Sequence, residues 1–241
     1  MQSSEYPVVA VVMPGTGSDA DFVGRAFGAP LRARGLDVIT VEPDPRRVVA
    51  SYLEALDAAA AQFGPIVAGG VSLGAAVALN WAYEHSSNVA AVLAALPPWT
   101  AAAPDAPAAI SARLTAHQLR SEGLEAVTAA MRAGSPDWLG AELARSWRSQ
   151  WPDLPNALEE AAAYVAPTVS RMEEIGVPVG IATATDDLVH PTAVAEEWAS
   201  HLRIAGIGHT TLDDIALDAT ALGRAALAGL DSTGYRLGIG S

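Results

Sequence analysis

The sequence contains no cysteine, which excludes disulfides, a cysteine nucleophile and thiolate metal sites. Its five histidines include no pair at the close spacing of a helical metal motif. We therefore expect neither a structural zinc ion nor another bound metal.

Long apolar runs are also missing. No run approaches the roughly 18 residues that a helix needs to span a bilayer. The longest early run, residues 8–13, has no positive flank before it and is followed at once by Pro14 and Gly15. A secretory signal peptide is not expected, and we expect a cytoplasmic location.

Positively charged residues are few relative to acidic ones, and the formal net charge is -13. A surface this acidic repels phosphate backbones and anionic lipids, so we expect neither a nucleic acid nor a membrane as a partner. The sequence leaves the oligomeric state open.

What the chain has in quantity is apolar side chains. Hydrophobic residues make up 51% and charged residues 17% of its 241 residues. This composition predicts a globular protein, and the length allows one domain with a sizeable core and a modest insertion.

Apolar runs and helical patterns alternate along most of the chain. Strands are predicted at residues 6–13, 37–41, 65–69, 89–96, 177–183 and 202–207. Helical spacing between these runs predicts an α/β fold, with a mostly parallel sheet and helices on both faces.

The alternation breaks at residues 97–172, here called the inserted segment, where prolines punctuate helical pieces and no strand is evident. We therefore assign residues 1–96 and 173–241 to an α/β core and the inserted segment to a helical cap. An insertion that leaves the carboxyl end of a strand is placed to roof the end of the sheet at which such folds bind ligands.

The pattern Gly-Val-Ser-Leu-Gly at residues 70–74 follows the third predicted strand and begins a helix. It is a G-x-S-x-G motif in the strand–turn–helix context that the motif requires. Ser72 is therefore predicted to be a nucleophile on a sharp turn. The amide of Leu73, at the helix N-terminus, is predicted to donate to a developing oxyanion.

The glycine-rich loop after the first strand has two interpretations. In the first, the amide of Thr16 is the second oxyanion donor. In the second, Gly15, Gly17 and Ala20 form a dinucleotide-binding fingerprint, with Glu42 about 20 residues further on as the ribose-binding carboxylate. The second is disfavoured because it leaves the serine motif and the late Asp and His residues without a function.

Two further candidates follow the last two predicted strands. Asp187 comes after the fifth, and His209 is the one histidine that follows a glycine-flanked strand exit. His190 lies beside the acid, where it is expected to line the mouth of the site. The chain order Ser72, Asp187, His209 is the order of a triad on an α/β-hydrolase fold.

On these residues the chain resembles the α/β-hydrolase superfamily, in particular small bacterial single-domain hydrolases with a helical cap. The resemblance covers residues 6–96 and 175–230. It implies that Ser72 is the nucleophile, His209 the base, and Asp187, four residues before Pro191, the acid that orients the base. The loop at residues 14–17 resembles the family's His-Gly oxyanion loop, with proline in place of histidine.

We therefore expect a cofactor-free serine hydrolase, esterase-like or thioesterase-like, that acts on a small or medium acyl substrate through an acyl-enzyme. The alternatives are a dinucleotide-binding oxidoreductase and a non-catalytic ligand-binding protein on the same fold. Four tryptophans in or beside the inserted segment either line an apolar acyl pocket or pack the cap onto the sheet. They are Trp99, Trp138, Trp147 and Trp151.

Overall fold

The structure is a computed structural model that describes residues 9–237. Its sheet consists of β1 (Val9–Met13), β2 (Asp37–Thr40), β3 (Ile66–Val71), β4 (Val89–Ala95), β5 (Val179–Ala184) and β6 (Ala205–Thr210). The strands are all parallel and lie in the order β2-β1-β3-β4-β5-β6. The predicted fold class, a parallel sheet with helices on both faces, is confirmed.

Helices connect the strands and fill the inserted segment. They are α1 (Ala20–Arg32), α2 (Val48–Phe63), α3 (Leu73–Glu84), α4 (Pro107–Glu122), α5 (Leu124–Ala133), α6 (Asp137–Gln150), α7 (Leu154–Ala163), α8 (Val169–Glu174), α9 (Thr192–His201), α10 (Leu212–Leu217) and α11 (Thr220–Ser232). Within the described part of the chain, no helix combines the length and apolarity needed to cross a membrane.

The sheet is sandwiched between two layers of helices. Helices α2, α3 and α9 pack on one face through one apolar cluster, and α1 and α11 pack on the other through a second cluster. Strands β1, β3 and β5 are buried along their whole length because both faces are covered. This explains why these strands are almost continuous apolar runs in the sequence.

The predicted strands agree with the observed ones except at their ends. The largest difference concerns β6, which was predicted to end at residue 207 but continues to Thr210. The part of the first prediction at residues 6–8 lies outside the described residues. The extension of β6 decides where His209 lies, as shown below.

The inserted segment contains helices α4 to α7 and the first four residues of α8, which ends at Glu174, between β4 and β5. Helix α4 packs against α7, and α5 against α6, while the short α8 packs against α3 and α9 beside the sheet. A separate apolar cluster joins α4, α5, α6 and α7. These four helices lie over the carboxyl end of the sheet, where they share a cavity with Ser72.

Candidate functional site

Ser72 lies in a strained turn between β3 and α3. Its φ is 52°, a left-handed conformation that costs a non-glycine residue on the order of 1–3 kcal/mol. The glycines on either side are required by close backbone contacts. A Cβ on Gly70 would lie 2.5 Å from the carbonyl carbon of Gly74, and one on Gly74 would lie 2.5 Å from the oxygen of Met13. The turn therefore presents the Ser72 hydroxyl at the end of the sheet.

The Ser72 hydroxyl is hydrogen-bonded to His190. Its Oγ lies 2.9 Å from Nε2 of His190, and Nδ1 of His190 lies 2.8 Å from Oδ2 of Asp187. An ionised carboxylate only accepts hydrogen bonds, so Nδ1 carries the proton and Nε2 is left to accept from the serine. His190 and Asp187 both come from the loop between β5 and α9.

The carboxylate of Asp187 is held by the turn that it helps to form. Its Oδ1 accepts hydrogen bonds from the amides of Val189 and His190, at 2.8 and 3.2 Å. Burial has the largest single effect and raises the pKa of Asp187. The side-chain hydrogen bond and Coulombic interaction with His190, together with the hydrogen bonds from the two amides, outweigh it and hold the pKa of Asp187 below its usual range. The acid is therefore ionised at neutral pH and fixes the orientation of the imidazole.

His209, the residue that the sequence predicted as the base, does not contact Ser72. It lies inside β6, paired level with Thr183 of β5, and is exposed at the edge of the sheet. A side chain on the preceding residue, Gly208, would run into the backbone of Ala225 on α11. Because side chains alternate along a strand, His209 faces the opposite side of the sheet from α11. His190 occupies the position next to the serine instead.

A local signal for His190 is present in the sequence. It stands three residues after Asp187, and an Asp at the start of a turn often bonds to backbone amides two or three positions on. That turn brings the ring of His190 back over the carboxylate. From the sequence we expected His190 at the mouth of the site and predicted His209 as the base.

The loop at residues 14–18 lies against the serine. A Cβ on Gly15 would be 3.4 Å from Cβ of Ser72, and Thr16 lines the same cavity as Ser72. The buried hydroxyl of Tyr52 on α2 donates to the carbonyl oxygen of Pro14 at 2.9 Å. Burial raises the pKa of Tyr52 well above its usual value, so the hydroxyl keeps its proton. Tyr52, which was not among the predicted site residues, anchors the start of the loop.

Helix α6 of the inserted segment holds the other end of this loop. The hydroxyl of Ser146 donates to the carbonyl oxygen of Gly17 at 2.6 Å, and Nε2 of Gln150 donates to that of Ser18 at 2.8 Å. Both side chains are buried. The indole of Trp147 packs directly on Gly17. The loop that carries Thr16 is thus fixed from α2 and from α6.

The residues of the disfavoured dinucleotide fingerprint make contacts within the protein. The carboxylate of Glu42 accepts a hydrogen bond from the amide of Ala20 at 3.0 Å, and Asp19 caps the first turn of α1. A pyrophosphate would need the same helix N-terminus for its own negative charge. Two carboxylates occupy that terminus, and Trp147 covers Gly17.

A cavity of about 320 Å³ extends from Ser72 toward the inserted segment. Its lining includes Ser72, Asp187 and His190 at one end and side chains of α4, α5, α6 and α7 elsewhere. Trp99, Trp138 and Trp147 line it, whereas Trp151 is 40% exposed and is not part of the wall. This size is typical of small-molecule sites.

Solved structures of similar fold cover most of the chain. MenH from S. aureus is 16% identical, with a TM-score of 0.74 and 97% of each chain covered. The enol-lactonase from Burkholderia xenovorans LB400 is 18% identical, with a TM-score of 0.61 and coverage of 88% of this chain and 85% of that one. A thermophilic esterase from Thermogutta terrifontis is 17% identical, with a TM-score of 0.56 and coverage of 82% and 79%. At these identities the likeness concerns the fold.

No curated protein matches the sequence. A family model does: the model described as the alpha/beta hydrolase family matches residues 2–222. The match spans β1 to β6, the serine turn, the inserted segment and the loop that carries Asp187 and His190. The chain belongs to the alpha/beta hydrolase family.

Proposed function

We propose that the protein is a serine hydrolase that cleaves carboxylic esters or thioesters of small or medium acyl groups through an acyl-enzyme. The observation that carries the proposal is the chain of two hydrogen bonds from Ser72 through His190 to Asp187, at 2.9 and 2.8 Å. A nucleophile, a base and a group that orients the base are the three parts of a catalytic triad for such chemistry.

In the proposed mechanism, Nε2 of His190 takes the proton of Ser72 as Oγ attacks the acyl carbon. Asp187 stabilises the imidazolium that forms. His190 then gives the proton to the departing alcohol or thiol, which leaves the acyl group on Ser72. A water molecule, deprotonated by the same nitrogen, attacks the acyl-enzyme and releases the acid. The reaction needs no cofactor.

The negative charge of each tetrahedral intermediate needs donors on the side of Ser72 away from His190. We assign this role to the amides of Leu73 and Thr16. Leu73 opens α3, and the N–H groups of a first helical turn have no partner within the helix. Thr16 belongs to the loop packed against Ser72 and held by Tyr52 and Ser146. Such preorganised donors are worth about 10²–10³ in rate each.

We propose that the inserted segment is a cap that closes the acyl site, as its position over the cavity suggests. It is joined to the core by hydrogen bonds from α6 to the loop at Gly17 and by Glu160 of α7. The carboxylate of Glu160 accepts from the amides of Val48 and Val49 at the start of α2, at 2.7 and 3.2 Å. These contacts favour a fixed roof over a freely swinging lid.

The two alternative functions account for less of the geometry. A dinucleotide-binding oxidoreductase would need the N-terminus of α1, which Glu42 and Asp19 occupy. A non-catalytic binding protein would have no use for a strained serine bonded to an oriented imidazole. The hydrolase explains both the strain at Ser72 and its partner.

Labelling with a fluorophosphonate probe tests the proposal. The wild-type protein is expected to be labelled, and Ser72→Ala is expected to abolish both labelling and hydrolysis of p-nitrophenyl butyrate. Ser111→Ala, which changes another serine of the same cavity wall, is the matched control and should be labelled normally. Full labelling of Ser72→Ala, or none of the wild type, would overturn the proposal.

A further inference from the structure

We infer that the acyl group of the substrate is apolar and uncharged, and that it lies in the cavity between α4, α6 and α7. This inference rests on the proposed serine chemistry and specifies which acyl groups that chemistry serves. Two observations support it: the side chains that line the cavity are mostly apolar, and the charged side chains near the cavity already form ion pairs with one another.

Apolar side chains form most of the cavity wall beyond Ser72. Aromatic rings and aliphatic chains come from α1, α5, α6 and α10 and from the segment that follows β4; among them are Phe22, Trp99, Met131, Trp138, Leu143 and Ile215. Such a wall favours apolar chains, since each buried methylene contributes to binding through the hydrophobic effect.

The cavity lacks a cation that could pair with an acidic acyl group. Apart from the proposed catalytic Asp187 and His190, the one charged residue among its described lining residues is Glu142 on α6. No arginine belongs to the wall, and the chain contains no lysine. A carboxylate at the far end of the acyl chain would therefore be buried without a partner, beside a group of the same sign.

The arginines next to Glu142 are already paired. Arg25 lies 2.6 Å from its carboxylate, and Arg145 lies 2.8 Å from it. The same two arginines also contact Asp21, and Arg145 contacts Asp19 at 2.9 Å. Three carboxylates thus share two guanidinium groups, so neither arginine is available to a substrate and the cluster keeps a net negative charge.

Small residues on α4 and α7 give the cavity its depth. Ala108 and Ala112 on α4 and Ala161 on α7 line the wall where larger side chains would fill it. Helices α4 and α7 pack closely against each other along this wall. A bulky side chain at Ala112 would therefore shorten the space available to an acyl chain without changing the serine end of the site.

The charge inference is tested with two esters of the same chain length. We expect kcat/KM for p-nitrophenyl hexanoate to exceed that for mono-p-nitrophenyl adipate by about 100-fold or more, because the adipate buries an unpaired carboxylate. p-Nitrophenyl 6-aminohexanoate should also be poor, because burying its ammonium group in this largely apolar wall costs more than a carboxylate already shared with two arginines returns. Equal or faster hydrolysis of either charged ester would overturn the inference.

The location of the acyl chain is tested with Ala112→Phe. This variant should lower kcat/KM for p-nitrophenyl decanoate relative to the butyrate by about tenfold or more, since one methylene in an apolar pocket is worth at least about that much. Ala141→Phe, at an exposed position of α6, is the matched control and should leave the ratio unchanged. An unchanged ratio in Ala112→Phe, with normal circular dichroism, would place the chain elsewhere.

Failure of this inference is distinguishable from failure of the proposed function. If the protein is not labelled by fluorophosphonate and cleaves none of the esters, the serine mechanism is wrong. If it is labelled at Ser72 but cleaves the adipate as well as the hexanoate, the mechanism stands and the assignment of an uncharged acyl group is wrong.

Discussion

The carboxyl ends of β5 and β6 are neighbours in the sheet, and each is associated with a histidine, but only one histidine reaches the serine. After β5, a short turn carries Asp187 and His190 and brings the imidazole to within 2.9 Å of Ser72 Oγ. At β6, His209 is still part of the strand, level with Thr183 and exposed at the sheet edge.

The difference between the two strand ends is one of distance and of direction. Ser72 follows β3, so β5 lies two strands away and β6 three, at about 4.8 Å per strand. A residue on a loop that leaves the sheet can cross such a gap, whereas a residue held in a strand ladder cannot. Whether a histidine can reach the serine therefore depends more on whether it lies before or after the last paired residues of its strand than on the sequence motif around it.

The largest expected effect separates the two histidines. His190→Ala should lower kcat by about 10⁴-fold or more, because it removes the base. His209→Ala should remain within about twofold of the wild type, since exposed substitutions away from a site have little effect. Steady-state hydrolysis of p-nitrophenyl butyrate measures both. The opposite result would return the role of base to the strand residue.

The two aspartates of the β5 loop sharpen the comparison further. Asp187→Asn should lower kcat by about 10⁴-fold with little change in KM, because the imidazole loses the carboxylate that sets its tautomer. The asparagine retains an oxygen that can accept from the amides of the turn. A kcat close to that of the wild type would show that the oriented carboxylate lies elsewhere.

The loop after β1 can be compared with the two strand ends above, because a side chain of the inserted segment holds it in place. Ser146→Ala removes the hydrogen bond to the carbonyl oxygen of Gly17, worth about 1 kcal/mol for a neutral pair. We expect kcat to fall by about fivefold with KM nearly unchanged, because the Thr16 amide loses support. Ser149→Ala, whose hydroxyl donates only within α6, is the control. A change confined to KM would contradict a role in positioning.

Asp186 is expected to matter for stability and little for rate. Its Oδ1 accepts from the amide of Leu212, at the start of α10, at 2.7 Å, and so ties the β5 loop to the segment after β6. Asp186→Ala, which removes the accepting oxygen, should lower the free energy of unfolding by about 1 kcal/mol and leave kcat within a few-fold. Urea unfolding and steady-state kinetics measure the two effects. A kcat loss as large as that of Asp187→Asn would contradict this separation.

The smallest effect is a pH dependence of stability from Asp187. Its pKa in the folded protein lies below the ordinary value of 3.8, so its ionisation stabilises the fold above that pH. This contribution is lost as the pH falls through the folded-state pKa. The difference in unfolding free energy between the wild type and Asp187→Asn should therefore become smaller as the pH is lowered below about 4. A difference that grows with acidity would have the wrong sign.

Much of the site was predictable because its signals are local. The strand–turn–helix context placed Ser72, and counting back from Pro191 selected Asp187, the aspartate that lies 2.8 Å from an imidazole. The fold class followed from the alternation of apolar runs and helices, since burial on both faces leaves a continuous apolar strand.

What escaped prediction depends on where a strand ends and on long-range contacts. The sequence after Ile207 does not indicate that β6 continues to Thr210. Gly208 is needed in the strand because the backbone of Ala225 on α11 approaches it closely, and this contact is not visible in the sequence. Tyr52 and Ser146 support the loop at residues 14–18 from 38 and 129 residues away. Such pairings are set by tertiary packing and leave no pattern in the sequence.

Asp187 and His190 lie in the same turn after β5, which has a consequence for how thermal motion would affect the site. The imidazole of His190 and the carboxylate of Asp187 are joined through the ring and through the backbone amide, so we expect them to move as one body. An excursion of this turn would lengthen the distance to Ser72 and leave the hydrogen bond between imidazole and carboxylate intact. Return of the turn by a single rigid displacement restores the whole relay, with no need to realign two independent loops.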